Sequence, residues 1–119
     1  MRQNRADRVS GLLKEEISRL IQKDLKDPRV GFVTITRVSL SRDLRYAKVF
    51  FSTYGDQETQ QRSLEGLQSA LGFIRGELGR RLDLRFIPEI EFHIDGSVEY
   101  AFRIEEIIHQ IKKGRGEEV

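Results

Sequence analysis

Residues 64–82 read Leu-Glu-Gly-Leu-Gln-Ser-Ala-Leu-Gly-Phe-Ile-Arg-Gly-Glu-Leu-Gly-Arg-Arg-Leu. Leu64, Leu67, Leu71, Ile74, Leu78 and Leu82 fall three or four apart, the spacing of one helical face. The same stretch holds Gly66, Gly72, Gly76 and Gly79, and each Gly costs a helix about 1 kcal/mol relative to Ala. Glycine at that density excludes a straight, solvent-facing helix. The pattern predicts a helix that bends, or one that another group approaches closely. Small residues can also let a helix press onto a sheet, and Gly76 and Gly79 fit that role. A local rule broken without local compensation is also where function tends to sit.

Upstream, residues 32–40 are rich in β-branched side chains and read as a strand, closed by a polar turn at Ser41-Arg42-Asp43. Residues 45–53 alternate, with Ala47, Val49 and Phe51 on one face and Tyr46, Lys48, Phe50 and Ser52 on the other. The two strands read as a hairpin. Its outer face mixes Lys48 with Tyr46 and Phe50, a combination suited to RNA bases, although packing alone can place aromatics there. Further upstream, Val9, Leu12, Leu13, Ile17, Leu20, Ile21 and Leu25 trace an amphipathic helix over residues 7–25, halted by Asp27-Pro28. Downstream, residues 86–94 alternate as a third strand whose start Pro88 places at an edge or bulge. Ser97 then reads as the N-cap of a last helix carrying Ala101, Ile104, Ile107, Ile108 and Ile111 inward.

The order is helix, strand, strand, broken helix, strand, helix. An α+β layer of helices on one face of a three-stranded sheet satisfies both the short and the long connection between strands. The 119 residues suit one domain, taken as 1–111, with a charged, Gly-broken tail at 112–119 expected to be mobile.

Composition narrows the function. Cysteine is absent, which excludes thiol nucleophiles and cysteine-held metals and fits a reducing compartment, so the cytoplasm is the expected location. No apolar run approaches membrane-spanning length, and the first residues lack a secretory pattern. The formal net charge is only +2, but residues 1–45 hold 11 basic against 6 acidic side chains, and arginines cluster at Arg75, Arg80, Arg81 and Arg85. Guanidinium groups suit phosphate well, while a protein rich in both signs can simply have solvated faces. His93 and His109 have no partner at ligand spacing, Glu89 and Glu91 read as edge protection, and no phosphate loop or dinucleotide fingerprint is present. The residues point to a non-enzymatic binding module with basic surface at its front and around the broken helix, needing no cofactor.

The strings Asp27-Pro28-Arg29-Val30-Gly31-Phe32-Val33-Thr34-Ile35-Thr36-Arg37-Val38, Ser41-Arg42-Asp43-Leu44 and Ala47-Lys48-Val49-Phe50 resemble the bacterial ribosome-binding factor A family. So do residues 80–92, followed by Asp95-Gly96-Ser97. The resemblance implies a type II KH-like fold in which the usual Gly-x-x-Gly clamp is replaced by a helix-kink-helix with an Ala-x-Gly element, matched by Ala70-Leu71-Gly72. It further implies association with the small ribosomal subunit and its 16S rRNA late in assembly, support of rRNA processing, and importance in the cold. On that reading the protein is a monomer off the ribosome, with no membrane partner. Arg2, Arg5, Arg8, Arg45, Lys48, Arg75, Arg80, Arg81 and Arg85 are the expected phosphate contacts, and the kink at Ala70 and Gly72 lets backbone approach the RNA. Two alternatives remain at this point: a protein-interaction module using the amphipathic terminal helices, and an RNA-processing nuclease, which lacks a metal-ligand cluster.

Overall fold

Alternating apolar residues build the sheet and helical stripes cover it. In the computed structural model, which describes residues 5–96, the chain passes through α1 (Arg5–Arg19), β1 (Val33–Leu40), β2 (Tyr46–Thr53), α2 (Gln57–Ser69), α3 (Leu71–Arg81) and β3 (Glu89–Ile94). The expected last helix, the domain boundary at residue 111, the tail and Arg2 lie outside the described residues. The architecture is the α+β arrangement of a type II KH-like fold. β2 is the middle strand, antiparallel to β1 and parallel to β3. A parallel neighbour cannot be reached by a tight turn, and α2 and α3 supply the crossover.

One face of the sheet presents Val33, Ile35, Ala47, Val49, Phe51, Ile90 and Phe92 to the helices, which answer with Leu13, Ile17, Leu20, Leu67, Ile74 and Leu78 in a single core. Phe51 and Phe92 meet edge to face with ring centroids 6.4 Å apart. Burial of this kind contributes roughly 1.5–3 kcal/mol for each large side chain.

Three features differ from the sequence reading. α1 gives way at Leu20–Asp24 to a wider π-helical turn, in which the Leu25 N–H donates to the Leu20 carbonyl at 3.0 Å. Leu20 and Ile21 are both buried there, and helical structure ends at Asp24 with Leu25 as its cap, as the expected end at residue 25 requires; only the widened turn differs. β3 starts at Glu89 rather than residue 86, because Pro88 has no N–H for the ladder and the first rung is Glu89 N–H to the Arg45 carbonyl at 2.8 Å. In β1 the register slips between Ile35 and Arg37, leaving Thr36 as an extra residue whose hydroxyl donates to the Asp95 carboxylate.

The loop between α1 and β1 is fastened from two sides. Asp27 accepts from the Arg29 N–H at 2.9 Å and from the Arg29 guanidinium at 3.1 and 2.7 Å, closing a turn around Pro28. On α2, the buried Ser63 hydroxyl donates to the Arg29 carbonyl at 3.3 Å. Gly66 lies one helical turn further on. A Cβ there would stand 2.6 Å from Val30 Cγ2 and 3.2 Å from Arg29 Cβ. The close approach demanded by the glycine-rich helix is therefore at Gly66 and against this loop. Gly76 and Gly79, expected to serve the sheet contact, would meet nothing nearer than 3.7 Å.

Two outcomes follow for stability. Gly66→Ala gains up to about 1 kcal/mol of helix propensity but overpacks against Val30, typically a loss of about 1–3 kcal/mol, so denaturant unfolding should show a net loss. The Arg29 guanidinium, then its N–H, hold Asp27 at a pKa of about 2, and hydrogen bonds from Ser41, from Thr59 and from Arg80 lower Asp43, Asp56 and Glu77. Depressed carboxylates favour the folded state above their unfolded pKa, so stability should fall as pH drops from about 4 towards 2. Asp27→Asn should flatten that fall in acid titrations followed by circular dichroism.

Candidate nucleic-acid interface

The bend is confined to one residue. Ala70 separates α2 from α3 with φ −90° and ψ 1°. Its N–H is shared between the Gly66 carbonyl at 3.2 Å and the Leu67 carbonyl at 3.1 Å, while its carbonyl accepts from Ile74 N–H at 2.9 Å. Both helices are thereby closed without a loop. Gly72 stands exposed in the first turn of α3, and a Cβ there would meet no atom within 4 Å. Neither packing nor a positive φ calls for glycine at this position. Its effect is to leave helical backbone bare towards solvent beside the half-exposed Phe73.

The arginines after the bend divide by partner. Arg75 donates to the Ile87 and Pro88 carbonyls, each at 3.1 Å, and lies 3.8 Å from Glu89. It ties α3 to the segment entering β3. Arg81 sits 3.0 Å from Asp24, 3.4 Å from Glu77 and 3.8 Å from Glu16, joining α3 to the end of α1. Arg80 pairs with Glu77 at 2.8 Å but keeps most of its side chain in solvent. That contact, with Arg81 nearby, holds the Glu77 carboxyl below its usual pKa. Arg75 and Arg81 therefore hold the fold, and only Arg80 of these three extends outward.

Arg5, Arg8, Arg45, Lys48 and Arg85 are exposed and form no ion pair among the described residues. They come from the start of α1, the β1–β2 turn, the outer face of β2 and the approach to β3. The turn is rigid despite its exposure. Asp43 accepts from the Ser41 hydroxyl at 2.6 Å and from Arg45 N–H at 3.1 Å, and Leu44 takes a left-handed φ of 63°. Such a conformation is costly for a branched residue and persists only where its surroundings fix it.

Sequence reasoning missed Arg37. A strict alternation from Val33 would turn Arg37 to the core, but the bulge at Thr36 turns it outward, where its guanidinium lies 4.1 Å above the Phe50 ring. Phe50 also stacks on His93 with centroids 5.5 Å apart. One of the two aromatics expected to meet bases is thus engaged within the sheet, whereas Tyr46 remains 60% exposed. Phe86, 65% exposed, was also missed, because a strand reading of residues 86–94 hides it among alternating positions. Pro88 was the available signal that the strand could not begin so early. Among the described residues no group of three or more His, Cys, Asp or Glu is placed to hold a metal ion, and no helix is long and apolar enough to cross a membrane.

Comparison with known proteins places this geometry. A family model described as ribosome-binding factor A matches residues 5–108. A relative named ribosome-binding factor A from Caldanaerobacter subterraneus subsp. tengcongensis is 46% identical over 117 residues, covering 98% of this chain and 96% of its own. The crystal structure of ribosome-binding factor A from Thermus thermophilus superposes with a TM-score of 0.67 at 28% identity, covering 75% of this chain and 93% of that one. A homology model of the Thermus thermophilus factor, fitted into a cryo-electron-microscopy map of its complex with the 30S subunit, gives a TM-score of 0.61 at 29% identity, covering 73% and 91%.

The open surroundings of Gly72 predict that Gly72→Ala stabilises the isolated protein by about 0.5–1 kcal/mol, the helix-propensity gain, in contrast to the loss at Gly66. Thermal melts should also separate the arginines. Arg81→Ala should lower the midpoint modestly, as expected for a partly exposed network, and Arg85→Ala should leave it unchanged.

Proposed function

The chain belongs to the ribosome-binding factor A family, and we propose that it binds the small ribosomal subunit during late maturation, touches its 16S rRNA and supports processing of that RNA without catalysing a covalent step. The observation that carries this reading is the set of exposed cations at Arg5, Arg8, Arg45, Lys48 and Arg85, which form no ion pair among the described residues. Phosphate contacts of this kind set affinity and orientation, and carry no sequence information. Specificity then comes from the shape of the assembled RNA, which the bend at Ala70 and the bare backbone at Gly72 fit better than they fit a free strand. Binding would hold an immature RNA arrangement until later steps, with its greatest effect in the cold, where non-native RNA pairings persist. The protein acts in the cytoplasm and is a monomer off the ribosome on this reading.

The competing role as a protein-interaction module loses one of its surfaces. α1 buries Val9, Leu13 and Ile17 in the core, so its apolar stripe, Leu12 apart, is not available to a partner.

Sedimentation of the full chain with isolated small subunits across a salt series tests the proposal, with large subunits as control. Selective binding to small subunits should weaken steeply with salt. The logarithmic slope should lie between roughly −3 and −4.5, as expected if about four or five cations each displace counterions at about −0.7 to −0.9. A flat salt response, or equal binding to large subunits, would remove it. Arg5→Ala, Arg45→Ala and Arg85→Ala together should reduce the slope and leave the melting temperature unchanged.

A further inference from the structure

Two clefts flank Phe86 at the end of the sheet where β2 and β3 begin. One, of about 240 Å³, lies between Tyr46 and Phe86 and is rimmed by Arg45 and Glu89. The other, of about 200 Å³, shares Phe86 with it and is rimmed by Arg5, Arg85, Asp43 and Leu44. None of residues 70–72 contributes to either, so this place is separate from the bend. We propose that the cleft between Tyr46 and Phe86 receives one unpaired RNA base, with Arg5, Arg45 and Arg85 on the phosphates either side of it. The inference rests on the RNA-binding reading above and deepens it by naming the element recognised, a nucleotide displaced from its helix.

Size, chemistry and rigidity support that occupant. Each cleft is smaller than the roughly 300–1,000 Å³ of small-molecule sites, and suits a planar group better than a folded ligand. Phe86 and Tyr46 are 65% and 60% exposed, and large aromatic rings left in water this way present π-faces to any base, whatever its identity. Arg85 already lies over Phe86 at 5.5 Å, so a cation and a ring face act at the same spot.

The charge around the clefts favours an anion. Of the two acids at the rims, Asp43 is engaged by Ser41 and Arg45 N–H, and Glu89 lies 3.8 Å from Arg75. None of the three arginines forms a salt bridge among the described residues, and only the Arg45 charge acts on a rim acid, helping the Ser41 hydrogen bond to lower the Asp43 pKa.

The platform is also fixed before binding. Arg75 holds the Ile87 and Pro88 carbonyls, Pro88 is buried, and Glu89 N–H joins the segment to β2. An exposed ring on a rigid support loses little freedom when a base stacks on it. A double helix offers no such face, because its bases are already stacked, whereas loops and bulges do.

The test uses the full chain with isolated small subunits and with an unstructured single-stranded oligoribonucleotide carrying 2-aminopurine. Wild type should quench the 2-aminopurine, and ultraviolet irradiation of its small-subunit complex should leave a nucleotide adduct on Phe86 or Tyr46. Phe86→Ala should weaken subunit binding about tenfold, within the range alanine substitution gives for one stacked base. Phe86→Leu should lose nearly as much and Phe86→Tyr should keep most of the affinity, all with unchanged melting temperatures because the side chain is exposed. If wild type binds small subunits and a Tyr46→Ala, Phe86→Ala double variant binds them equally well, the base site is wrong while subunit binding stands. Crosslinks from these residues to ribosomal protein alone would overturn it in the same way. If wild type fails to bind small subunits at all, the RNA-binding reading falls, and this site with it.

Discussion

Parallel pairing of β3 with the central strand is the constraint on which the rest depends. Two parallel strands must be joined by a chain that leaves the sheet, crosses one face and returns to the same end. Here that chain is α2 and α3, and it must share the face with α1, which has already covered the β1 side. Close quarters explain the glycine at position 66, where α2 passes so near the loop at residues 29–30 that a methyl group does not fit. They also explain the bend, since it lets the apolar residues on both sides of Ala70 reach one core. The apolar stripe is continuous in sequence and bent in space.

The hairpin and the helical stripes were readable because period two and period 3.6 leave unmistakable patterns in residues 32–53 and 64–82. What escaped reading was set by contacts distant in sequence. Thr36 looks like any β-branched strand residue, and only its bond to Asp95 and the register across β2 reveal it as a bulge. That single extra residue decides which face Arg37 occupies. Pro88 alone marks the late start of the strand, but the bonds from Arg75 to the Ile87 and Pro88 carbonyls, which fix Phe86 in the approaching loop, leave no mark in the sequence. The π-helical turn at the end of α1 escaped for a different reason, since it accompanies the burial of two adjacent residues, Leu20 and Ile21, and leaves no compositional mark.

Charge shows the same limit. Arg75, Arg80, Arg81 and Arg85 are indistinguishable as a cluster in sequence, yet two of them tie separate elements together, one pairs with Glu77 on its own helix, and one is open. The acids that distinguish them include Asp24, Glu16 and Glu89, which stand on other elements. A small net charge thus conceals a division of labour in which paired guanidinium groups build the scaffold and unpaired ones face outward.

The two arginine ties have a mechanical meaning. Arg81 anchors the far end of α3 to α1, and Arg75 anchors its middle to the edge of the sheet, so the elbow at Ala70 joins one limb that is pinned twice. Ties at two points oppose a swing of α3 about Ala70. Gly72 and the half-exposed Phe73, in the first turn of that limb, are therefore carried at a set place relative to the sheet and α1.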